Sequence, residues 1–235
     1  FKQKTAYEIG VRLVGSEMCI RDRCYIRPLA YYGYGTMGLT PLKNKVDVSI
    51  SCWEWKMGES KAGKFSGARC KISKWIRIDS RSQPMQAKSA ANYSNAALAR
   101  VEALKAGYDE AIMLNNRGHV AEGSAENIFV IKNGKITTPP LSADILNGIT
   151  RNSAIQMIKA SGKKINEKNI TVKNLLAADE IFMTGTAAEV KSVTRVNRAK
   201  IGSGEIGPIT KELQSSFMDA VMGKNKKFLS WLKFL

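Results

Sequence analysis

Apolar and polar positions alternate at Val46, Val48, Ile50 and Cys52, the two-residue period of a half-buried strand. A second short strand pattern spans residues 70–78. Past Lys88 the period lengthens: Ala97, Leu98, Val101 and Leu104 recur at helical spacing, and Gly107 supplies a stop. Residues 111–114 and 128–131 predict strands, with turn sequences at 115–118 and 132–135. A helix is predicted after Gly148-Ile149-Thr150, with Ala154, Ile155 and Ile158 on one face and Gly162 behind it. Residues 180–183 predict a short apolar strand running into Thr184-Gly185-Thr186. Pro208 opens a last helix at a position where proline is tolerated, striped by Leu213, Phe217 and Val221 and closed by Gly223. The basic and apolar tail, 224–235, reads as a docked helix or a frayed end. This mixed order implies an α+β or α/β class, not a simple βαβ alternation.

The glycine- and lysine-rich run 58–67 predicts a linker and a domain boundary. Residues 1–23 do not read like the rest and are taken as a non-native leader; a strand or helix of a small domain is the other reading. The expected division is therefore leader 1–23, small-domain and interdomain segment 24–58, and large domain 59–235. No internal repeat or low-complexity tract interrupts it.

Composition narrows the function classes. The 235 residues carry a formal net charge of +17, with 44% hydrophobic and 24% charged positions, ordinary for a globular chain apart from its charge. Basic residues are spread widely, densest from Lys56 to Arg77, where Phe65 and Trp75 make base stacking conceivable. No nucleic-acid-binding signature accompanies them, so a solvated face or affinity for anionic substrates is the preferred reading. Cys19, Cys24, Cys52 and Cys70 form no CxxC pair and no zinc spacing, and no metal is expected. They read as reduced thiols of a cytoplasmic protein. No apolar run is long enough to span a membrane. A single histidine, His119, expected to be exposed, and the lack of a serine elbow disfavour a Ser-His-Asp hydrolase. The run Gly33-Tyr34-Gly35-Thr36-Met37-Gly38 lacks the third glycine and following helix of a dinucleotide fingerprint.

Four segments offer chemistry. Lys88 sits among small residues before a helix; desolvation there would free its amine for Schiff-base formation, although in a chain with many lysines a surface lysine is the plainer reading of this segment alone. Glu122 and Glu126 lie in a small-residue stretch joining two strands, where a buried carboxylate could hold a protonated ring nitrogen; an acidic surface turn is the plainer reading. Leu146-Asn147-Gly148-Ile149-Thr150-Arg151 precedes a helix, whose free N–H groups and threonine hydroxyl make an anion seat; an ordinary cap by Thr150 fits as well. Gly185-Thr186-Ala187-Ala188 ends a strand and offers further N–H groups.

In order and spacing these segments together resemble the class IV, or fold-type IV, pyridoxal-phosphate (PLP) aminotransferases, and within them the branched-chain amino-acid group. The resemblance runs from Cys24 to the final helix. It implies an α+β, D-amino-acid-aminotransferase-like fold with a large pseudo-barrel domain and a remnant of a small N-terminal domain. It makes Lys88 the Schiff-base lysine and Tyr93 the partner of the cofactor's phenolic oxygen. Glu122 becomes the carboxylate at the ring nitrogen and Leu146 the residue packed on the ring. Ile149, Thr150 and Thr186 become the phosphate seat. Tyr25 and Arg27, in Tyr25-Ile26-Arg27-Pro28, match the substrate-pocket pair, and Thr186 and Ala187 the backbone contacts to the substrate carboxylate. The implied reaction exchanges the amino group of L-leucine, L-isoleucine or L-valine with 2-oxoglutarate, in a homo-oligomer with no nucleic-acid or membrane partner. D-amino-acid aminotransferases usually carry an arginine-x-histidine trap where this chain has YIRP. GTAAEV favours the branched-chain group over aminodeoxychorismate lyase. Those two activities, and a basic non-catalytic nucleic-acid binder, are the alternatives. The sequence departs from the family where Ser89, Ala90 and Ala125 replace common glycines and Lys56 a frequent tyrosine. No segment matches the small domain's phosphate-gripping arginine, so an N-terminal part is expected to be missing.

Overall fold

A computed structural model describes residues 24–54 and 67–232. The readings of residues 1–23, of Lys56 and of the linker at 58–66 lie outside them. The chain divides into two compact units, residues 1–61 and 62–235.

The described part of the first unit is an antiparallel hairpin of β1 (Cys24–Tyr32) and β2 (Val46–Glu54), in which Tyr25 faces Trp53 and Arg27 faces Ser51. The glycine run 33–38 lies in the connecting loop. Asn44 ties this loop, donating to the Gly33 carbonyl and accepting from the Thr36 hydroxyl. The alternation at Val46, Val48 and Ile50 does form a strand, but these side chains are exposed, not half-buried. Two strands alone bury little apolar surface.

The second unit is built on a ten-stranded mixed sheet. Its strands are β3 (Ala68–Ile72), β4 (Glu110–Leu114), β5 (His119–Gly123), β6 (Asn127–Lys132), β7 (Lys135–Thr138), β8 (Ile165–Glu167), β9 (Ile170–Thr171), β10 (Glu180–Gly185), β11 (Glu189–Val196) and β12 (Ala199–Lys200). They run in the order β8-β7-β6-β10-β11-β3-β4-β5-β9, with β12 paired to β11. The pairs β11–β3, β3–β4 and β7–β8 are parallel and the rest antiparallel. The helices are α1 (Ala90–Lys105), α2 (Ile149–Ala160), α3 (Val172–Leu176) and α4 (Pro208–Val221).

The near-continuous apolar run of β6 marks a strand buried on both faces. Ile128 and Val130 enter one core with Ile181, Met183 and Val193. Phe129 and Ile131 enter the other with α2, α4 and Phe182. Phe129 and Phe182 are register partners on β6 and β10, stacked 4.5 Å apart. The turn between β6 and β7 places Asn133 and Gly134 at positive φ (48° and 71°), the conformation that favours Asn-Gly.

Three expectations change. Residues 70–78 form a strand only to Ile72; beyond it the chain is irregular, held by Ser73 N–H to the Ile112 carbonyl and Arg77 N–H to the Leu114 carbonyl. Helix α1 exists, but its buried face is Asn92, Ala96, Ala99 and Ala103, whereas Leu98, Val101 and Leu104 are about half exposed. His119 is half-buried on β5, its Nδ1 enclosed without a partner. The tail, left open between docked and frayed, is docked as far as Trp231 through buried Phe228. Among the described residues no helix is long and apolar enough to cross a membrane.

Candidate active site

The edge of the sheet where β5 ends and β6 begins carries the polar groups that both cores exclude. Glu122 is the penultimate residue of β5 rather than part of the loop, and it is buried. One strand over, the Arg77 N–H bonds the last carbonyl of β4. That anchor brings the guanidinium to Glu122, with NH2 2.7 Å from Oε1 and both side chains about 6–7% exposed. Glu122 Oε2 accepts from Asn127 Nδ2 at 3.0 Å and from the Leu146 N–H at 3.1 Å. Burial pushes the Glu122 carboxyl up to about 7, Arg77 pulls it back, and Glu126 adds to the rise.

Above this pair lies a cleft of about 300 Å³, including the solvent at its mouth. It is lined by Lys88, Tyr93, Glu122, Arg77, Leu146 and Ala125, among others. Lys88 precedes α1 and is exposed at the mouth rather than buried by its small neighbours. Its Nζ donates to the Tyr93 hydroxyl at 2.7 Å and sits 5.1 Å from that ring's centre. The N-cap of α2 is Gly148, not Thr150; Thr150 lies buried in the first turn and Ile149 is 84% exposed. The helix start reaches the site through Asn127: a Cβ at Gly148 would fall inside contact distance of Asn127 Oδ1, and Asn127 Nδ2 also donates to the Leu146 carbonyl at 2.8 Å.

Thr186 and Ala187 are exposed in the turn between β10 and β11. A Cβ at Gly185 would touch the Ala125 carbonyl at 3.3 Å, so this turn abuts the loop that lines the cleft. Beneath that loop Ser124 Oγ donates to Glu110 Oε1 at 2.6 Å, and Arg100 pairs with the same carboxylate. Burial likewise raises Glu126. Lys88, Tyr93, Glu122 and Leu146 thus line one cleft, with Ile149, Thr150, Thr186 and Ala187 on segments tied to it. Tyr25 and Arg27 belong to the first unit. There Arg27 donates to the Tyr25 hydroxyl at 3.2 Å and lies over the stacked Tyr25 and Trp53 rings. Among the described residues no group of three or more His, Cys, Asp or Glu is placed to hold a metal.

Sequence reasoning missed Arg77, Asn127 and Trp53. A basic residue between two isoleucines and an asparagine opening the apolar run 128–131 were the available signals, since a polar group set among apolar positions demands a partner if it is buried.

The groups around the cleft suit an anionic cofactor bearing an aldehyde. An amine and a phenol stand at its mouth, a buried carboxylate at its floor, and two enclosed guanidinium nitrogens of Arg77, Nε and NH1, have no protein partner. Comparison with known proteins agrees. Residues 12–196 match the class IV amino-transferase family. The chain is 47% identical over 214 residues to a probable branched-chain-amino-acid aminotransferase of Aquifex aeolicus, covering 91% of this chain and 68% of that protein. It is 42% identical over 210 residues to the branched-chain-amino-acid aminotransferase of Pseudomonas aeruginosa, covering 89% and 68%. Among solved structures, the T.th. branched-chain amino acid aminotransferase with pyridoxamine 5'-phosphate superposes with a TM-score of 0.86 at 40% identity, over 90% of this chain and 69% of that one. The Thermoproteus uzoniensis branched-chain aminotransferase with norvaline gives 0.86 at 36%, over 98% and 76%. The expected α+β fold is the fold of these structures, and the expected cofactor is of the kind that the T.th. structure holds. The chain belongs to the class IV aminotransferases, in the branched-chain amino-acid aminotransferase group of these pyridoxal-phosphate enzymes.

Proposed function

We propose that the chain transfers the amino group of L-leucine, L-isoleucine or L-valine to 2-oxoglutarate, giving the branched 2-oxo acid and L-glutamate. The observation that carries this reading is the meeting of Lys88, Tyr93 and buried Glu122 around one cleft. Bound there, pyridoxal phosphate supplies the aldehyde that takes up the amino group and the ring that draws electrons from the substrate Cα. Lys88 would hold the cofactor through its Nζ, and the same nitrogen would accept the substrate Cα proton as general base. Tyr93, 2.7 Å from that nitrogen, orients it. Glu122 would accept from the ring N–H, and Leu146 would pack on the ring. The Ile149 backbone, the Thr150 hydroxyl and Thr186 seat the phosphate with the help of the α2 N-terminus, whose N–H groups lack helical acceptors. Tyr25 and Arg27 contact the substrate, and the Thr186 and Ala187 backbone its carboxylate.

Homo-oligomeric assembly and a cytoplasmic setting complete the proposal. The three described cysteines, Cys24, Cys52 and Cys70, are unpaired, as a reducing compartment requires. Sedimentation of the purified chain measures the assembly.

The test is Lys88→Ala. After incubation with pyridoxal phosphate and borohydride, the wild type should gain the cofactor's mass on the peptide holding Lys88, and the variant should not. The wild type should convert L-leucine faster than D-alanine or aminodeoxychorismate. A labelled variant, or preference for either of the latter substrates, would overturn the assignment.

A further inference from the structure

Glu122 has about four acceptor positions as a carboxylate. Asn127 Nδ2 and the Leu146 N–H take two on Oε2, and Arg77 NH2 takes one on Oε1. The remaining position is on Oε1, the oxygen that Arg77 grips. Arg77 comes from the irregular segment between β3 and α1, and its backbone is pinned to the end of β4. It is as buried as its partner, and its Nε and NH1 meet no other acceptor. A buried cation with a single anionic partner has one electrostatic effect in a dry site: it favours the charged form of that partner.

We propose that Arg77 is a positioning residue, which favours the ionised form of Glu122 and turns it so that the free lone pair of Oε1 receives a cationic ring nitrogen. This rests on the cleft being the cofactor site and goes beyond it, because it assigns the charge state of Glu122 to a side chain outside the expected set. Without Arg77, the groups facing Glu122 are the Asn127 amide, the Leu146 N–H, Glu126 from the β5–β6 loop, and Lys88, Tyr93 and Ser124 across the cleft. Of these, Glu126 and burial both oppose ionisation. Glu122 would then hold its own proton and become a donor where an acceptor is required.

The experiment compares the full chain with Arg77→Met, Arg77→Lys and Glu122→Gln. In cofactor-free protein, difference infrared spectra across pH follow the buried protonated carboxyl, identified by its loss in Glu122→Gln. Its midpoint should rise in Arg77→Met by about one pH unit or more, a tenfold or greater gain in proton affinity, and Arg77→Lys should restore part of the shift. Pyridoxal phosphate affinity should fall about tenfold in Arg77→Met near pH 7. The ratio of wild-type to variant affinity should shrink as pH rises and Glu122 ionises. An unchanged midpoint in a variant whose circular dichroism is native, or a pH-independent affinity ratio, overturns the proposal. If Arg77→Met fails to fold, the same two readouts on Arg77→Lys and Arg77→Gln decide. A wild type that takes up no pyridoxal phosphate would refute the cofactor site itself, and the infrared midpoint would still judge the coupling of Arg77 to Glu122.

Discussion

Glu122 couples the site to stability. Its folded carboxyl is raised by burial from an ordinary 4.5 to about 7. Between these values the folded state retains a proton that the unfolded chain has released. Stability from this group is therefore complete below about pH 4.5 and lost as pH rises to about 7, on the order of 3 kcal/mol in all. Glu122→Gln cannot titrate, so the gap between wild-type and variant unfolding free energies should move against the wild type across that window; denaturant melts at a series of pH values measure it. A flat gap would mean that the carboxyl is already ionised when buried. Which of these residues could be read from the sequence follows from the range of their contacts. Lys88, Glu122 and the GIT segment were legible only together, through the order and spacing that they share with the class IV aminotransferases. Arg77 does not, because its role depends on a bond to a residue 45 positions later, which no local pattern encodes.

At the scale of elements, the sequence exposed most strands and helices through their period and punctuation. Gly107, Gly162 and Gly223 lie at positive φ just past the helices they were expected to stop. The buried face of α1 was hidden for a physical reason. Helix α1 packs on β4 through Ala96, Ala99 and Ala103, and small side chains suit so close an approach. Leu98, Val101 and Leu104, which dominate any hydrophobic pattern, point elsewhere. Capping was equally invisible. The first turn of α4 is held by Glu180 of β10, whose carboxylate accepts from the Ile209 N–H at 3.1 Å and from both the Thr210 N–H and hydroxyl at 2.8 Å. Hydrogen bonds to a charged acceptor contribute about 1.5–3 kcal/mol each when donors are left unmet. Glu180→Ala should thus lower stability by at least about 2 kcal/mol, and Tm by roughly 4–8 °C, while cofactor affinity stays within about twofold. A Tm within a degree of wild type would show that water replaces the cap.

On the scale of the whole molecule, the +17 charge acts at a distance. A strongly basic protein attracts an anionic ligand before contact, and this attraction is screened as salt rises. Stopped-flow uptake of pyridoxal phosphate should slow about tenfold between low and physiological ionic strength, whereas uptake of the uncharged-tail analogue pyridoxal should hardly change. Equal salt dependence for both would remove the field from the account. The sequence reports this charge and the mixed class directly, but not the order of the strands. Strand β3 lies between β4 and β11, and its Ala68 pairs with Val193 far along the chain. That seat has a consequence during synthesis. A nascent chain still tethered to the ribosome before residue 193 has emerged leaves one side of β3 without its neighbour. Its central ladder is open just when the amine and carboxylate have already been made. Closure of that ladder therefore waits for the last quarter of the chain, and early release would leave the reactive groups on a sheet whose middle lacks β11.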